Sequence, residues 1–168
     1  ALVTGVLIFT RIIPRKEDKA NFNNKTYDTN DRVRIVDESN YSGRVRLNLI
    51  NNSKEYINIS YYTIINDESM NILFKSLMDA ADRGVEVNIL LDGIFNNLKY
   101  SYRNSIHMIK NHPNIHLKFY EPLNFAKPWT WNNRLHDKTI IVDDQFALIG
   151  GRNIGNKYFL EESEKLKL

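Results

Sequence analysis

Cysteine is missing altogether from the 168 residues. That removes disulfides, thiolate metal sites and a cysteine nucleophile from consideration. Internal repeats, low-complexity tracts and a phosphate-binding P-loop are missing too. No apolar run reaches the roughly 20 residues that a bilayer-spanning helix needs. The nearest approach is the first stretch, ALVTGVLIFTRIIP, uncharged up to Arg11 and followed by Arg15 and Lys16. Residues 1–14 read as the last part of a membrane anchor or signal sequence, with a buried strand as the alternative. The chain opens on Ala1 inside that run and stops fifteen residues after Asn153, so the expectation is a piece of a longer protein.

What is present describes an ordinary folded domain. Apolar residues make up 42% and charged residues 26% of the chain, and a chain of this length buries roughly 70% of its unfolded surface. The net charge of +3 and pI near 9.0 suit an anionic lipid or nucleic acid but select neither. Residues 15–41 are polar and aperiodic and read as a linker. Ser42 is the expected N-cap of a helix over 43–52, with Val45, Leu49 and Ile50 inward. A strand is expected over 56–65. Met70, Leu73, Phe74, Leu77, Met78 and Ala81 recur at helical spacing after Asp67-Glu68, which read as a cap and first-turn pair, not as an acid and base. A strand over 85–91 follows, ending at Asp92, then a helix over 102–111 and a strand over 115–120. Helices alternating with strands imply parallel pairing through crossovers, with ligands beyond the strand carboxyl ends, where Asp92 falls. His107, His112 and His116 straddle a helix end and a proline and read as surface histidines. Trp129 and Trp131, with Lys127, either line a lipid- or base-binding mouth or cover the core edge.

One stretch concentrates reactive groups. Asn132 to Asn153 reads NNRLHDKTIIVDDQFALIGGRN, with His136, Lys138, Asp143, Gly150, Gly151 and Asn153 in the spacing H-x-K-x4-D-x6-G-G-x-N. A strand over 135–142 would put His136 and Lys138 on one face, where an imidazole and an ammonium both reach one small anion. Residues 143–145 read as a turn and 146–149 as a second strand. Gly150-Gly151 would allow close backbone approach to a ligand, and Asn153 would open a helix over 154–166, where free N–H groups favour an anion.

This stretch resembles the HKD signature of the phospholipase D superfamily, and NNRLHDK…LIGGRNIGNKYF is similar to the first motif of bacterial cardiolipin synthase-type members. The resemblance implies an α/β fold: a single lobe over 42–168 with a mixed, mostly parallel sheet flanked by helices. It makes His136 the nucleophile or its acid/base partner and pairs Lys138 with Asn153 on the phosphate. It makes Gly150 and Gly151 a tight turn beneath that phosphate. Asp143 belongs to the same motif and reads as a hydrogen-bonding residue at the strand end. The implied activity is phosphatidyl transfer or phospholipase D-type cleavage through a phosphohistidine, with no cofactor and no metal. The implied partners are a phospholipid, the cell membrane and a second HKD lobe, in the same full-length chain or a homodimer. A second H-x-K is absent here, so the site is half of a pair. An acidic residue after Asn153 would orient the histidine, either one of Glu161, Glu162 and Glu164 or one beyond Leu168, and Asn156-Lys157 departs from relatives, which tend to be acidic there. Two alternatives stand beside this: a metal-independent endonuclease homodimer on nucleic acid, or a non-catalytic lobe binding anionic headgroups.

Overall fold

The computed structural model describes residues 31–98 and 103–160. The expected anchor over 1–14, most of the expected linker, Tyr102 and the glutamates after Leu160 lie outside them.

The first helix, α1 (Ser39–Asn51), starts three residues before the expected cap. Glu38 caps it, accepting the Tyr41 N–H at 3.3 Å. Ser42 therefore falls inside the helix, where its hydroxyl and carbonyl both accept from Arg46. The buried stripe is Ser42, Arg46 and Ile50, not an apolar one, because Arg46 is drawn inward by the Tyr61 hydroxyl, to which its Nε donates at 3.1 Å. Val45 and Leu49 are only partly buried.

Strand β1 (Tyr56–Tyr61) buries Ile57, Ile59 and Tyr61 in strict alternation. It ends four residues earlier than expected; Ile64 makes an isolated bridge to Ile154 instead. Helix α2 (Glu68–Asp82) is capped by Asp67 and buries Met70, Leu73, Phe74, Leu77, Ala80 and Ala81. Gly84, at φ +93°, turns the chain into β2 (Glu86–Asp92). Helix α3 (Arg103–Asn111) and β3 (Ile115–Tyr120) complete a second crossover. The hairpin β4 (Lys138–Val142) and β5 (Phe146–Ile149) follows, and a single-turn helix, α4 (Asn156–Phe159), ends the described chain.

The five strands lie in the order β3-β2-β1-β4-β5. β1, β2 and β3 are parallel, β4 runs against β1, and β5 runs against β4. Only β4 therefore opposes the common direction, giving the expected mixed, mostly parallel sheet. Pairing aligns Ile57 with Val87 and Val142, and Ile59 with Ile89 and Ile140, so one sheet face is continuous and apolar. Ile50, Met70, Leu73, Leu77 and Ile109 from the helices join these residues in one core. A one-residue slip of β1 would send Asn58 and Ser60 into that core, so burial specifies the register.

Asp143 sets the far end of the β1–β4 pairing. Asp143 and Asp144 both take positive φ, +54° and +52°, in a tight hairpin turn that Asp tolerates. The Asp143 carboxylate accepts the backbone N–H groups of Lys54, Glu55 and Tyr56, each at 2.9 Å. Burial opposes its ionisation, but these three donors and the Lys54 charge outweigh burial and hold its pKa below the ordinary carboxylate value. A lowered folded-state pKa gives stability that is complete above the unfolded pKa, about 3.9, and is lost as pH falls through the folded one. Asp143→Asn should therefore cost about 2 kcal/mol at pH 7. Urea unfolding across pH should show the gap from the parent chain closing as pH drops below about 4.

Candidate active site at the carboxyl ends of the parallel strands

Because β4 runs against β1, its first residue meets the last of β1: Lys138 lies opposite Tyr61. This brings His136 and Lys138 to the carboxyl ends of the parallel strands, where ligands of such sheets bind. The strand does not, however, begin at Leu135 as expected. Residues 133–137 are irregular, since the Leu135 N–H is taken by the Asp92 carboxylate at 3.0 Å and not by a strand partner. Strand alternation is thus not what unites His136 with Lys138. Lys138 belongs to the core face, 5% exposed, while His136 is exposed at the rim.

Tyr62 brings them together. Its ring centroid is 4.9 Å from that of His136 and 5.5 Å from the Lys138 Nζ. The same Nζ donates to the His136 carbonyl at 2.6 Å, leaving two of its three N–H groups for other acceptors. Burial lowers the Lys138 pKa, with Tyr158 and then Asp137 partly offsetting it. A bound anion would reverse that shift, so the ammonium gains more from a phosphate here than in water.

Asn153 is 8% exposed and joins the same end of the sheet. Its Oδ1 accepts the Thr63 N–H at 3.3 Å and its Nδ2 donates to the Tyr158 hydroxyl at 3.3 Å. It does not open a helix. Gly155 and the four-residue α4 come after it, and the Asn156 N–H at the helix start is capped by Asp67 at 2.6 Å. Asn156 answers by accepting from the Ser69 N–H at 3.0 Å and its hydroxyl at 2.7 Å. Asn156 therefore serves helix packing, which accounts for an amide at that position.

The glycine pair also departs from expectation. Neither Gly150 nor Gly151 has positive φ, and a Cβ on either would meet nothing within 4 Å. They form no strained turn, and the Gly150 N–H simply donates to the Lys138 carbonyl at 3.2 Å. In this segment the glycine that the backbone requires is Gly155, at φ +157°, where a Cβ would stand 2.9 Å from that of Ile65. Asp143 is separated from His136 and Lys138 by the whole of β4, roughly 17 Å of extended chain. It is structural.

Sequence reasoning missed Tyr62, which the overlong strand had absorbed, and Tyr158 and Arg134, which no pattern marked. Asp92 lies, as expected, at the carboxyl end of its strand. Of the two tryptophans, Trp131 donates its Nε1 to the Asn124 carbonyl at 2.8 Å and meets the Phe125 ring edge-on, whereas Trp129 is 46% exposed. His112 pairs with Asp82 and His107 with Asn111, both away from His136.

With the geometry in view, comparison with known proteins is direct. The family profile described as "Cardiolipin synthase, PLD-like domain" matches residues 47–166. The chain belongs to this phospholipase D-like domain family. Cardiolipin synthase C of Escherichia coli is 32% identical over 130 residues, 72% of this chain and 27% of that protein. Cardiolipin synthase of Clostridium perfringens is 28% identical over 82% of this chain and 29% of its own length. The matched lobe thus spans between a quarter and a third of these relatives. Among solved structures, the phospholipase D family member Nuc from Salmonella typhimurium aligns at TM-score 0.50 and 26% identity, over 71% of this chain and 68% of Nuc. NucT from Helicobacter pylori shares the fold at TM-score 0.53, with 18% identity over 71% of this chain and 73% of its own. The α/β architecture is that of the phospholipase D-like lobe.

The contrast among glycines is testable by thermal or urea unfolding. Gly155→Ala should destabilise the lobe by about 2 kcal/mol through strain and the Ile65 clash. Gly150→Ala and Gly151→Ala should change stability by less than about 0.5 kcal/mol.

Proposed function

We propose that this lobe supplies one half of a phospholipid-processing site that works through a phosphohistidine on His136, as a cardiolipin synthase-like phosphatidyltransferase or phospholipase D. The observation that carries it is the meeting of an exposed imidazole and a desolvated ammonium around Tyr62. In the first step an imidazole nitrogen of His136 attacks phosphorus, forming a P–N bond while the P–O bond to the leaving alkoxide breaks. Lys138 and Asn153 hold the non-bridging oxygens, each preorganised donor contributing about 3 kcal/mol. The alkoxide takes its proton from a second histidine on another lobe. That group then deprotonates the incoming alcohol or water, which displaces His136 from phosphorus.

A lipid substrate is favoured by the surroundings. Phe95, Leu123, Phe125 and Trp129 are exposed on the two loops that lead toward His136, Phe125 by 79%. Such an apolar rim beside a cationic centre suits acyl chains below an anionic headgroup. Relatives named cardiolipin synthases agree with it. We place the protein at the cell membrane, held by residues 1–14; among the described residues no helix is long and apolar enough to cross a bilayer.

A second reading, a homodimeric metal-independent endonuclease, draws support from Nuc. There this single-motif lobe aligns with a chain of comparable length.

Assays belong on the whole protein that carries this lobe. Transfer or hydrolysis of phosphatidylglycerol should persist in EDTA. An acid-labile phosphoprotein should be trapped on His136. His136→Ala should slow turnover at least a thousandfold, about 4 kcal/mol of barrier, and Lys138→Met about a hundredfold. Full activity of His136→Ala would defeat this reading. EDTA-resistant plasmid cleavage by a stable dimer would favour the second, and headgroup binding with no phosphoenzyme would favour a non-catalytic lobe.

A further inference from the structure

We propose that Asp92, together with Arg134, is a positioning residue for His136, acting through the peptide before the histidine and through the aromatic rings stacked beneath its imidazole. The Asp92 side chain ends β2 with 0% exposure, so its charge persists only if it is paired and hydrogen-bonded. Oδ2 accepts the Leu135 N–H at 3.0 Å, fixing the peptide immediately before His136. Oδ1 accepts the N–H groups of Ile94 and Phe95 at 2.8 and 2.7 Å, fixing the turn after β2. That turn lays the Phe95 ring 5.4 Å from Tyr62, the ring against which His136 rests. One carboxylate therefore governs both ends of the histidine's placement.

Arg134 completes the device. Its Nη1 bonds Asp92 Oδ1 at 3.2 Å, while Nη2 donates to the carbonyls of Glu121 at 2.8 Å and Thr130 at 3.3 Å. The guanidinium neutralises the buried charge and ties down the loop that leads into the motif. The reach extends to the other phosphate contact. The Thr63 hydroxyl donates to the Phe95 carbonyl, and the Thr63 N–H donates to Asn153. An amide in place of the carboxylate keeps the shape but turns one acceptor into a donor facing N–H groups, and strands the Arg134 charge.

The test reads the placement of His136 directly. NMR of the four imidazoles, with His136→Ala assigning one of them, compares Asp92→Asn with the unaltered chain. The His136 signal should shift and broaden, while that of His112, held by Asp82 at 3.1 Å, stays in place. Arg134→Lys guards against loss of the fold: it keeps the charge but cannot bond Asp92, Glu121 and Thr130 together, and it should produce the same selective change. An unmoved His136 signal in either folded variant overturns the proposal, as does uniform unfolding of both with no effect particular to His136. In the whole protein the same substitutions should lower kcat about 100-fold with KM unchanged. That last measurement rests on the phosphohistidine reading, whose failure would leave the NMR result standing.

Discussion

The antiparallel seam between β1 and β4 is the constraint on which the rest depends. In an otherwise parallel sheet, one reversed strand is what turns the motif's first residues toward the carboxyl ends of β1 and β2. A parallel β4 would have put Lys138 at the opposite end of the sheet, beside Glu55. The seam is held by apolar pairs in its middle, Ile57 with Val142 and Ile59 with Ile140, and by Asp143 at its far end. Reactivity at one end thus relies on a purely structural carboxylate at the other. The motif's aspartate shares a sequence pattern with His136 because it shares a strand with Lys138, not because it shares a site.

Period-2 and period-3.6 patterns were legible wherever burial decided them, and so the strand order of types, α2 and its Asp67 cap could be read directly. Legibility failed where a polar side chain overrode the pattern. Arg46 moved the inward stripe of α1 by bonding Tyr61. Asp92 cut β4 short by taking the Leu135 N–H. Asp67 capped α4 from more than eighty residues away. Each is a long-range contact of a single side chain, and no local window contains both partners. The same reason hid Tyr62 and Tyr158, which reach the site from elements whose ends could not be fixed from sequence. His136 and Lys138 do meet, though by a geometry other than the expected one: a shared aromatic ring, not a shared strand face, joins them.

The burial asymmetry of that pair has a chemical use. On the proposed phosphohistidine reading, a nucleophile must meet phosphorus in a substrate that arrives from outside, and an exposed imidazole suits that role. A cation that binds non-bridging oxygens works best where water cannot compete, and Lys138 sits where burial already disfavours its charge. The Tyr62 ring and the His136 carbonyl reduce the cost of keeping it there and leave N–H groups of Lys138 for a phosphate. The lobe therefore holds a binding group under mild electrostatic tension that an anion relieves.

Carboxylates facing such a centre would oppose a phosphodiester, and three of this lobe's carboxylates are turned to backbone donors instead. Asp143 accepts three N–H groups, Asp67 accepts those of Met70 and Asn156, and Asp92 accepts three while facing Arg134. Asp92 is the instructive one, because it lies at the reactive end of the sheet yet is turned wholly inward. Were it a general base it would need an approach to solvent or substrate, and it has none. Its negative charge is balanced within the fold by Arg134. Asp92 thereby shapes the loop that carries His136 without presenting its own charge to a ligand at that end.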